Sequence, residues 1–317
     1  MRVFMTGATG FIGSAIVREL LEAGHQVTGL ARSEASAQKL LKMGASVQRG
    51  SIEDLECLRR GAAEVDAAVH VAFYHDIMHM PIYTRLNVLL GGSPRGIAPR
   101  FFSAAVRADR HAIETLGEAL AGRDSSFVAA FGTLAMQPGH LASEDEAHDP
   151  TSLGSVRADS ENIVRAFASR SVRASVVRLP PVVHGSGDHG FATRLINIAR
   201  RHRESAYIGD GSNRWPSVHR LDVACLFRLV LERGAAGMTY HAVAEEGIRF
   251  RDIAELIGGR VNVPIVSKRA EDAAKQFGFL APFVSIDNPV SSSLTRERLG
   301  WFPEQLGLLS DLDQVYF

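Results

Sequence analysis

Residues 6–13 read Thr-Gly-Ala-Thr-Gly-Phe-Ile-Gly. They follow the apolar run Arg2-Val3-Phe4-Met5-Thr6 and precede an amphipathic stretch that ends near Gly24. A glycine turn between a strand and a helix constrains the fold more than any other feature of this chain. Gly7 ends the strand turn, Gly10 lets backbone approach a pyrophosphate, and Gly13 lets the helix pack closely on the sheet. The helix N-terminus adds free N–H groups and a partial positive charge suited to phosphate. The expectation is a dinucleotide-binding βαβ unit, with Gly7, Thr9, Gly10, Phe11, Ile12 and Gly13 against the cofactor.

The following residues keep the alternation going. Strands are predicted at 2–6, 26–31, 46–49, 67–72, 126–131 and 174–179, short and nearly all apolar, as strands buried on both faces read. Helices are predicted near 11–23, 34–43, 53–63, 99–121 and 156–170. This order implies a parallel, doubly wound α/β sheet. Beyond Pro180-Pro181 the pattern becomes mixed. Helices are expected near 190–202, 221–233, 249–258 and 270–277, with strands near 206–208 and 238–243. The division is therefore 1–180 for a nucleotide-binding domain and 181–317 for a smaller substrate lobe, partly woven back onto the sheet. Residues 76–100 form a 25-residue connection, where α/β units usually need about 2–6. Long connections beside a ligand site often act as lids.

Composition removes several function classes. Thirty-five basic and 35 acidic side chains cancel, and the pI is 7.2, so no electrostatic case exists for nucleic acid or a membrane surface. Only Cys57 and Cys225 are present, with no histidine cluster at zinc spacing, so neither a disulfide framework nor a metal site is expected. No 18-residue apolar run occurs and no signal-peptide pattern opens the chain, which points to a cytoplasmic protein. The basic residues comprise 31 arginines and only four lysines, Lys39, Lys42, Lys268 and Lys275.

The end of the second strand bears on cofactor choice. An acid there holds a ribose 2′-hydroxyl. Here the residues are Ala31-Arg32-Ser33. Arg32 can pair a 2′-phosphate, with Ser33 as a second donor, so NADP(H) is expected over NAD(H).

At this point the chain resembles the extended short-chain dehydrogenase/reductase superfamily, the NAD(P)-dependent epimerase/dehydratase group. Its TGxxGxxG signature is matched by residues 6–13. Arg49-Gly50-Ser51-Ile52-Glu53-Asp54 is similar to the turn that covers adenine, and Asp66 to Ala72 to the fourth strand. Arg178 to Gly185 resembles the segment under the nicotinamide, and Gly209-Asp210-Gly211 with Ser217 to Ala224 a later family run. The resemblance spans roughly residues 1–245. It implies a Rossmann-type sheet, a small mixed C-terminal lobe, a cleft between them, and a homodimer formed by long helices. It also implies cofactor contacts at Ser51, Ile52, Val71, Ala72, Phe73, Leu179, Pro180, Pro181 and Val182.

The family's chemistry normally uses a tyrosine and, four residues later, a lysine. The five tyrosines are Tyr74, Tyr83, Tyr207, Tyr240 and Tyr316, none is followed by lysine at that spacing, and no lysine lies between 43 and 267. Aligned on Glu161, Arg157 takes the lysine place and Leu153 the tyrosine place, while Asp109 takes that of a helix asparagine. Arg157 can hold ribose hydroxyls as a cation but cannot act as an acid at neutral pH. Thr133 is the one hydroxyl left in the turn after the fifth strand.

Candidate replacements follow from position and chemistry. His75 and Asp76 end the fourth strand, where ligands bind in such sheets, and His75 is a candidate proton donor. Thr133 is expected to polarise a substrate oxygen. His184 stands where the family often has tyrosine. His189 and Arg214 are candidate substrate contacts, Arg214 for an anion. The leading expectation is an NADP(H)-dependent oxidoreductase acting on a carbonyl or alcohol of a small, partly apolar molecule. Two other classes fit the same residues: an NADP(H)-binding sensor or scaffold without chemistry, and a non-redox isomerase or lyase.

Overall fold

A computed structural model describes residues 1–317. The first elements alternate as expected: β1 (Arg2–Thr6), α1 (Phe11–Glu22), β2 (Gln26–Ala31), α2 (Glu34–Lys42), β3 (Ser46–Arg49), α3 (Leu55–Ala62) and β4 (Ala67–His70). Inside the long connection lies α4 (Ile82–Leu90), followed by α5 (Ile97–Leu120), β5 (Ser125–Gly132), α6 (Ala158–Ala166) and β6 (Val172–Leu179). The remainder comprises β7 (Val182–His184), α7 (Phe191–His202), β8 (Ser205–Ile208), β9 (Arg214–His219), α8 (Arg220–Arg233), β10 (Thr239–His241) and β11 (Glu245–Arg249). After these come α9 (Phe250–Val261), β12 (Ile265–Lys268), α10 (Ala273–Phe277), α11 (Ser293–Leu299) and α12 (Leu308–Val315).

Seven strands form one parallel sheet in the order β10-β6-β5-β4-β1-β2-β3. β1 is central and pairs β2 and β4 in parallel, with Met5 opposite Gly29 and Val69. All four residues of β4 are buried, as are seven of the eight in β5, which accounts for their continuous apolar sequence. α1 buries Gly13, Ile16, Val17 and Leu20 at helical spacing. It stops at Ala23-Gly24, where Gly24 takes φ +81° and ends the helix in the left-handed region.

The chain divides into two compact units. The first holds Met1–Ala130, Val156–Val176 and Phe227–Met238; the second holds Phe131–Ser155, Val177–Leu226 and Thr239–Phe317. The division is more interleaved than a single break at 180: residues 131–155 go with the second unit and 227–238 return to the first. The second unit packs around Trp215, Phe250 and Phe277, with the Trp215 and Phe250 rings edge to face at 4.9 Å.

β9, which is not among the strands predicted above, carries Pro216 and is the middle strand of a sheet ordered β11-β9-β7. Proline lacks the N–H that a central strand donates to its ladder. The partner strand accommodates this with a bulge: Glu245 pairs Ser217 and Ile248 pairs Trp215, so two residues of β11 face Pro216. A further two-stranded sheet pairs β12 with β8. No helix is long and apolar enough to cross a membrane, and no group of three or more His, Cys, Asp or Glu side chains is placed to hold a metal ion.

Candidate active site

The glycine loop sets the first part of the site. Gly7 has φ +70°, and a Cβ there would lie 2.8 Å from the backbone of Val71 and Ala72, so the loop rests directly on the chain leaving β4. A Cβ on Gly13 would meet the Gly7 carbonyl oxygen at 2.1 Å. Gly10 differs: its added Cβ would have one neighbour, Gly7 O at 3.2 Å, and would otherwise point into open space. Gly10 is also the N-cap of α1, and no side chain caps that helix. A helix N-terminus with no side-chain cap above an open cradle suits a pyrophosphate. Thr9, Phe11 and Ile12 are half-buried around it.

Beyond β2, Arg32 is exposed. Its guanidinium donates to the His79 carbonyl and lies 5.9 Å from the Tyr74 ring centroid. Ser33 is committed elsewhere: it is the N-cap of α2, accepting from Ser36 N–H at 3.2 Å. Ser33 thus serves as a helix cap, with its hydroxyl proton directed to Ser36 Oγ at 3.0 Å. The sequence reading passed over Lys39, one turn further along α2, whose Nζ donates to the Thr9 carbonyl at 2.7 Å. Two of the four lysines lie on this helix, and that was the available signal. Ser51 shapes the turn after β3 by accepting from Glu53 N–H at 3.2 Å, and Ile52 is buried.

A buried polar chain crosses the first unit. The Thr6 hydroxyl meets His70 Nδ1 at 2.8 Å. His70 Nε2–H donates to Asp109 Oδ1 at 3.2 Å, as an ionised carboxylate only accepts. Asp109 in turn accepts from Arg157, at 2.7 Å from Nη2 and 3.3 Å from Nε. Arg157 Nη2 also donates to Ala130 O at 3.1 Å. Burial alone would raise the Asp109 carboxyl, but the Arg157 charge and the His70 hydrogen bond outweigh it and hold it below the usual range. Thus the residue at the family's lysine place is a cation fixed in position, not a proton donor.

Phe73 links this chain to the candidate acid. The Arg157 guanidinium lies over the Phe73 ring at 4.4 Å, and the His75 ring meets it edge-on at 5.4 Å. His75 is exposed. Asp76 caps the following 3₁₀ turn, accepting from Met78 N–H at 2.8 Å. Val71, Ala72 and Phe73 are half-buried.

The remaining candidates belong to the second unit and are mostly engaged. Thr133 is fully buried and donates to Asn288 Oδ1 at 2.9 Å, while Asn288 Nδ2 donates to the Thr133 carbonyl at 3.1 Å. In this structure the hydroxyl proton expected to polarise a substrate oxygen is given to Asn288. His184 is fully buried, with Nδ1 2.7 Å from Asp311 Oδ2, and its ring meets His219 edge to face at 5.4 Å. This buried, carboxylate-paired imidazole ties α12 to β7. Gly185 N–H donates to the Tyr316 hydroxyl at 3.0 Å, strengthening that anchor. Arg214 forms a bidentate ion pair with Asp287, at 3.0 and 2.8 Å, which meets the charge expected to bind an anion. His189 is exposed just before α7. Leu179 ends β6, Pro180 is buried, Pro181 is half-buried and Val182 opens β7. Asn288, Asp287 and Asp311 were missed because nothing local marks a partner more than 70 residues away.

This is the fold and loop of a dinucleotide-dependent epimerase, dehydratase or reductase. Residues 3–82 match the NAD dependent epimerase/dehydratase family model. The chain is 44% identical to an uncharacterized protein of Schizosaccharomyces pombe, over 100% of each chain. It is 43% identical to an uncharacterized protein of Saccharomyces cerevisiae, over 100% of this chain and 99% of that one. A 2-alkyl-3-oxoalkanoate reductase of Stenotrophomonas maltophilia is 25% identical over 84% of this chain and 78% of its own. Among solved structures, the dTDP-glucose 4,6-dehydratase DesIV of Streptomyces venezuelae, as a double mutant with NAD and DAU bound, superposes with a TM-score of 0.75. It is 20% identical, and the match covers 99% of this chain and 95% of that one. The chain belongs to the NAD dependent epimerase/dehydratase family, within the extended short-chain dehydrogenase/reductase superfamily.

Proposed function

We propose that this chain is an NAD(P)(H)-dependent oxidoreductase that favours NADP(H) and acts on a carbonyl or alcohol of a small, partly apolar molecule. The observation that carries the reading is the open, uncapped glycine cradle at Gly10, flanked by two cations, Arg32 and Lys39. The first acid after β2 is Glu34, which pairs Arg49, so no carboxylate is left there to prefer a ribose 2′-hydroxyl. The bound nicotinamide would supply or accept the hydride. The chain's own residues then have separate tasks: Arg157, pinned by Asp109, holds a ribose hydroxyl, and His75 delivers or removes the proton at the substrate oxygen. The homodimer expected from the resemblance would use the outer face of α5, where Phe102 is exposed.

The test is NADPH and NADH binding by calorimetry, followed by turnover with a panel of aldehydes and ketones. Tighter NADPH binding and a substrate-dependent fall in NADPH absorbance are expected. His75→Gln should lower kcat with little change in NADPH affinity. Tight NADPH binding without turnover on any carbonyl would favour a second reading, a cofactor-binding protein without chemistry. The engagement of Thr133 with Asn288 supports that alternative.

A further inference from the structure

The long 76–100 connection does more than extend the chain: α4 roofs a cavity of about 440 Å³ that no step above uses. α5 and the turn between β3 and α3 complete its walls, and these divide by chemistry. Ile52, Leu55, Ala104 and Ala108 make an apolar floor, and Val88 of α4 adds an apolar contact from the roof. Arg100, Arg107 and His111 line one side, at spacings of seven and four that bring them to one face of α5.

The acidic side is already occupied. Glu53 Oε2 accepts from the Tyr83 hydroxyl and from Thr84 Oγ1, each at 2.6 Å. Its other oxygen is buried away from water. Burial, and then the Glu53 charge, push the Tyr74 phenol upward. Two guanidiniums against one committed carboxylate leave the cavity basic.

Arg100 is held in place beforehand. Its Nε donates to Val88 O at 2.9 Å and its Nη2 to Ser93 O at 3.2 Å. The turn Gly91-Gly92-Ser93-Pro94-Arg95-Gly96 wraps the guanidinium so closely that a Cβ on Gly96 would lie 2.5 Å from Nη1. These bonds commit Arg100 to its own loop and leave Arg107 and His111 as the basic groups at the mouth. Arg107 donates to Ser103 Oγ at 3.2 Å and, like His111, is exposed to the cavity mouth.

We propose that this cavity is a second binding site, for a small organic anion. Its apolar body would lie on the floor, and its carboxylate or phosphate would meet Arg107 and His111. The volume is within the range of small-molecule pockets. Arg107 and His111 lie outside the glycine cradle, and the cavity shares only Ile52 with the expected cofactor contacts.

The experiment titrates octanoate and phenyl phosphate into the full chain by calorimetry, with and without saturating NADPH. One of the two should bind at a single site and remain bound when NADPH is present. The tighter of the two identifies the headgroup. Arg107→Gln with His111→Gln should weaken that binding about tenfold or more, the worth of one charge-assisted contact. Ala104→Phe should block it by filling the floor, with circular dichroism unchanged in both variants. Three results would overturn the proposal: no heat from either anion up to about 10 mM, competitive displacement by NADPH, or wild-type affinity in the double variant. Failure of NADPH to bind would count against the cofactor reading and leave the anion titration interpretable.

Discussion

Asp109 grips Arg157 with both carboxylate oxygens, at 2.7 and 3.3 Å, and the same carboxylate takes a hydrogen bond from His70. The resemblance puts Arg157 at a lysine place and Asp109 at an asparagine place. The two departures make one physical unit: the fork of arginine needs a bidentate acceptor, and aspartate supplies it. The unit preserves a fixed cation and gives up proton exchange. In the proposed function this unit is a positioning device, and the proton is assigned to His75.

Removing the carboxylate should therefore cost more than removing a surface pair. Asp109 is fully buried, while the Arg157 side chain is 21% exposed. Asp109→Ala leaves a partly buried guanidinium and a buried imidazole without their acceptor, and should lower stability by about 3 kcal/mol in urea unfolding. Asp109→Asn should cost less, since the amide oxygen still accepts. The pH dependence has a definite sign. A carboxyl held low in the folded protein contributes stability above its unfolded value of about 3.9 and loses it as pH falls through the lower folded value. Wild type should lose that increment below about pH 4, and Asp109→Asn should show none of it.

His241 gives a second pH signature, of opposite chemical type. Burial, and then the Arg178 charge, lower it to about 3. Its Nδ1–H donates to Ser291 O at 2.8 Å, and Nε2 faces Arg178 Nη1 at 3.2 Å, so it is the neutral acceptor for a buried guanidinium. The unfolded chain takes up this proton near pH 6.5, whereas the folded chain does not until about pH 3. Stability is therefore lost as pH falls through that interval, by about 1.4 kcal/mol per unit. Between pH 7 and 5 the wild type should lose about 2 kcal/mol more than His241→Gln.

The sequence made some of this legible and concealed the rest for physical reasons. Gly7, Gly10 and Gly13 could be read because a strand, a turn and a helix start within a dozen residues carry their own geometry. Absence of a lysine between 43 and 267 could be read by counting. β9 leaves no readable strand pattern: proline argues against a central strand, and the bulge that admits Pro216 lies about 30 residues away in β11. Thr133 and His184 were singled out by place, but their partners, Asn288 and Asp311, come from the far end of the chain. Tertiary partners of that kind leave no local pattern. Arg214 looked like an anion site for the same reason, since Asp287 was invisible.

Cofactor choice should follow charge and not the hydroxyl beside it. Arg32→Ala and Lys39→Ala should each weaken NADPH binding about tenfold or more while changing NADH binding little, because only the 2′-phosphate needs a cation there. Ser33→Ala should leave the NADPH:NADH ratio unchanged. It should instead lower stability by about 1 kcal/mol through loss of the α2 cap. Calorimetric titration of the three variants with both cofactors, with melting curves alongside, separates these outcomes. A ratio that moved with Ser33 and not with Arg32 would overturn the assignment.

The last prediction separates binding from folding inside the glycine loop itself. Gly10 has φ −69° and ψ 176°, an extended conformation open to any L-residue. Alanine there meets only the Gly7 carbonyl, at 3.2 Å, and otherwise projects into the cradle. Gly10→Ala should therefore fold with nearly wild-type stability and lose NADPH binding. Gly13→Ala places its methyl 2.1 Å from the Gly7 oxygen and 2.8 Å from its carbon. No side-chain rotation relieves a clash with backbone, so α1 must move off the sheet, at a cost of several kcal/mol. Denaturant unfolding and NADPH titration of the two variants should thus give opposite profiles: stable without binding for Gly10→Ala, unstable for Gly13→Ala. Wild-type NADPH affinity in a folded Gly10→Ala protein would move the pyrophosphate away from this loop.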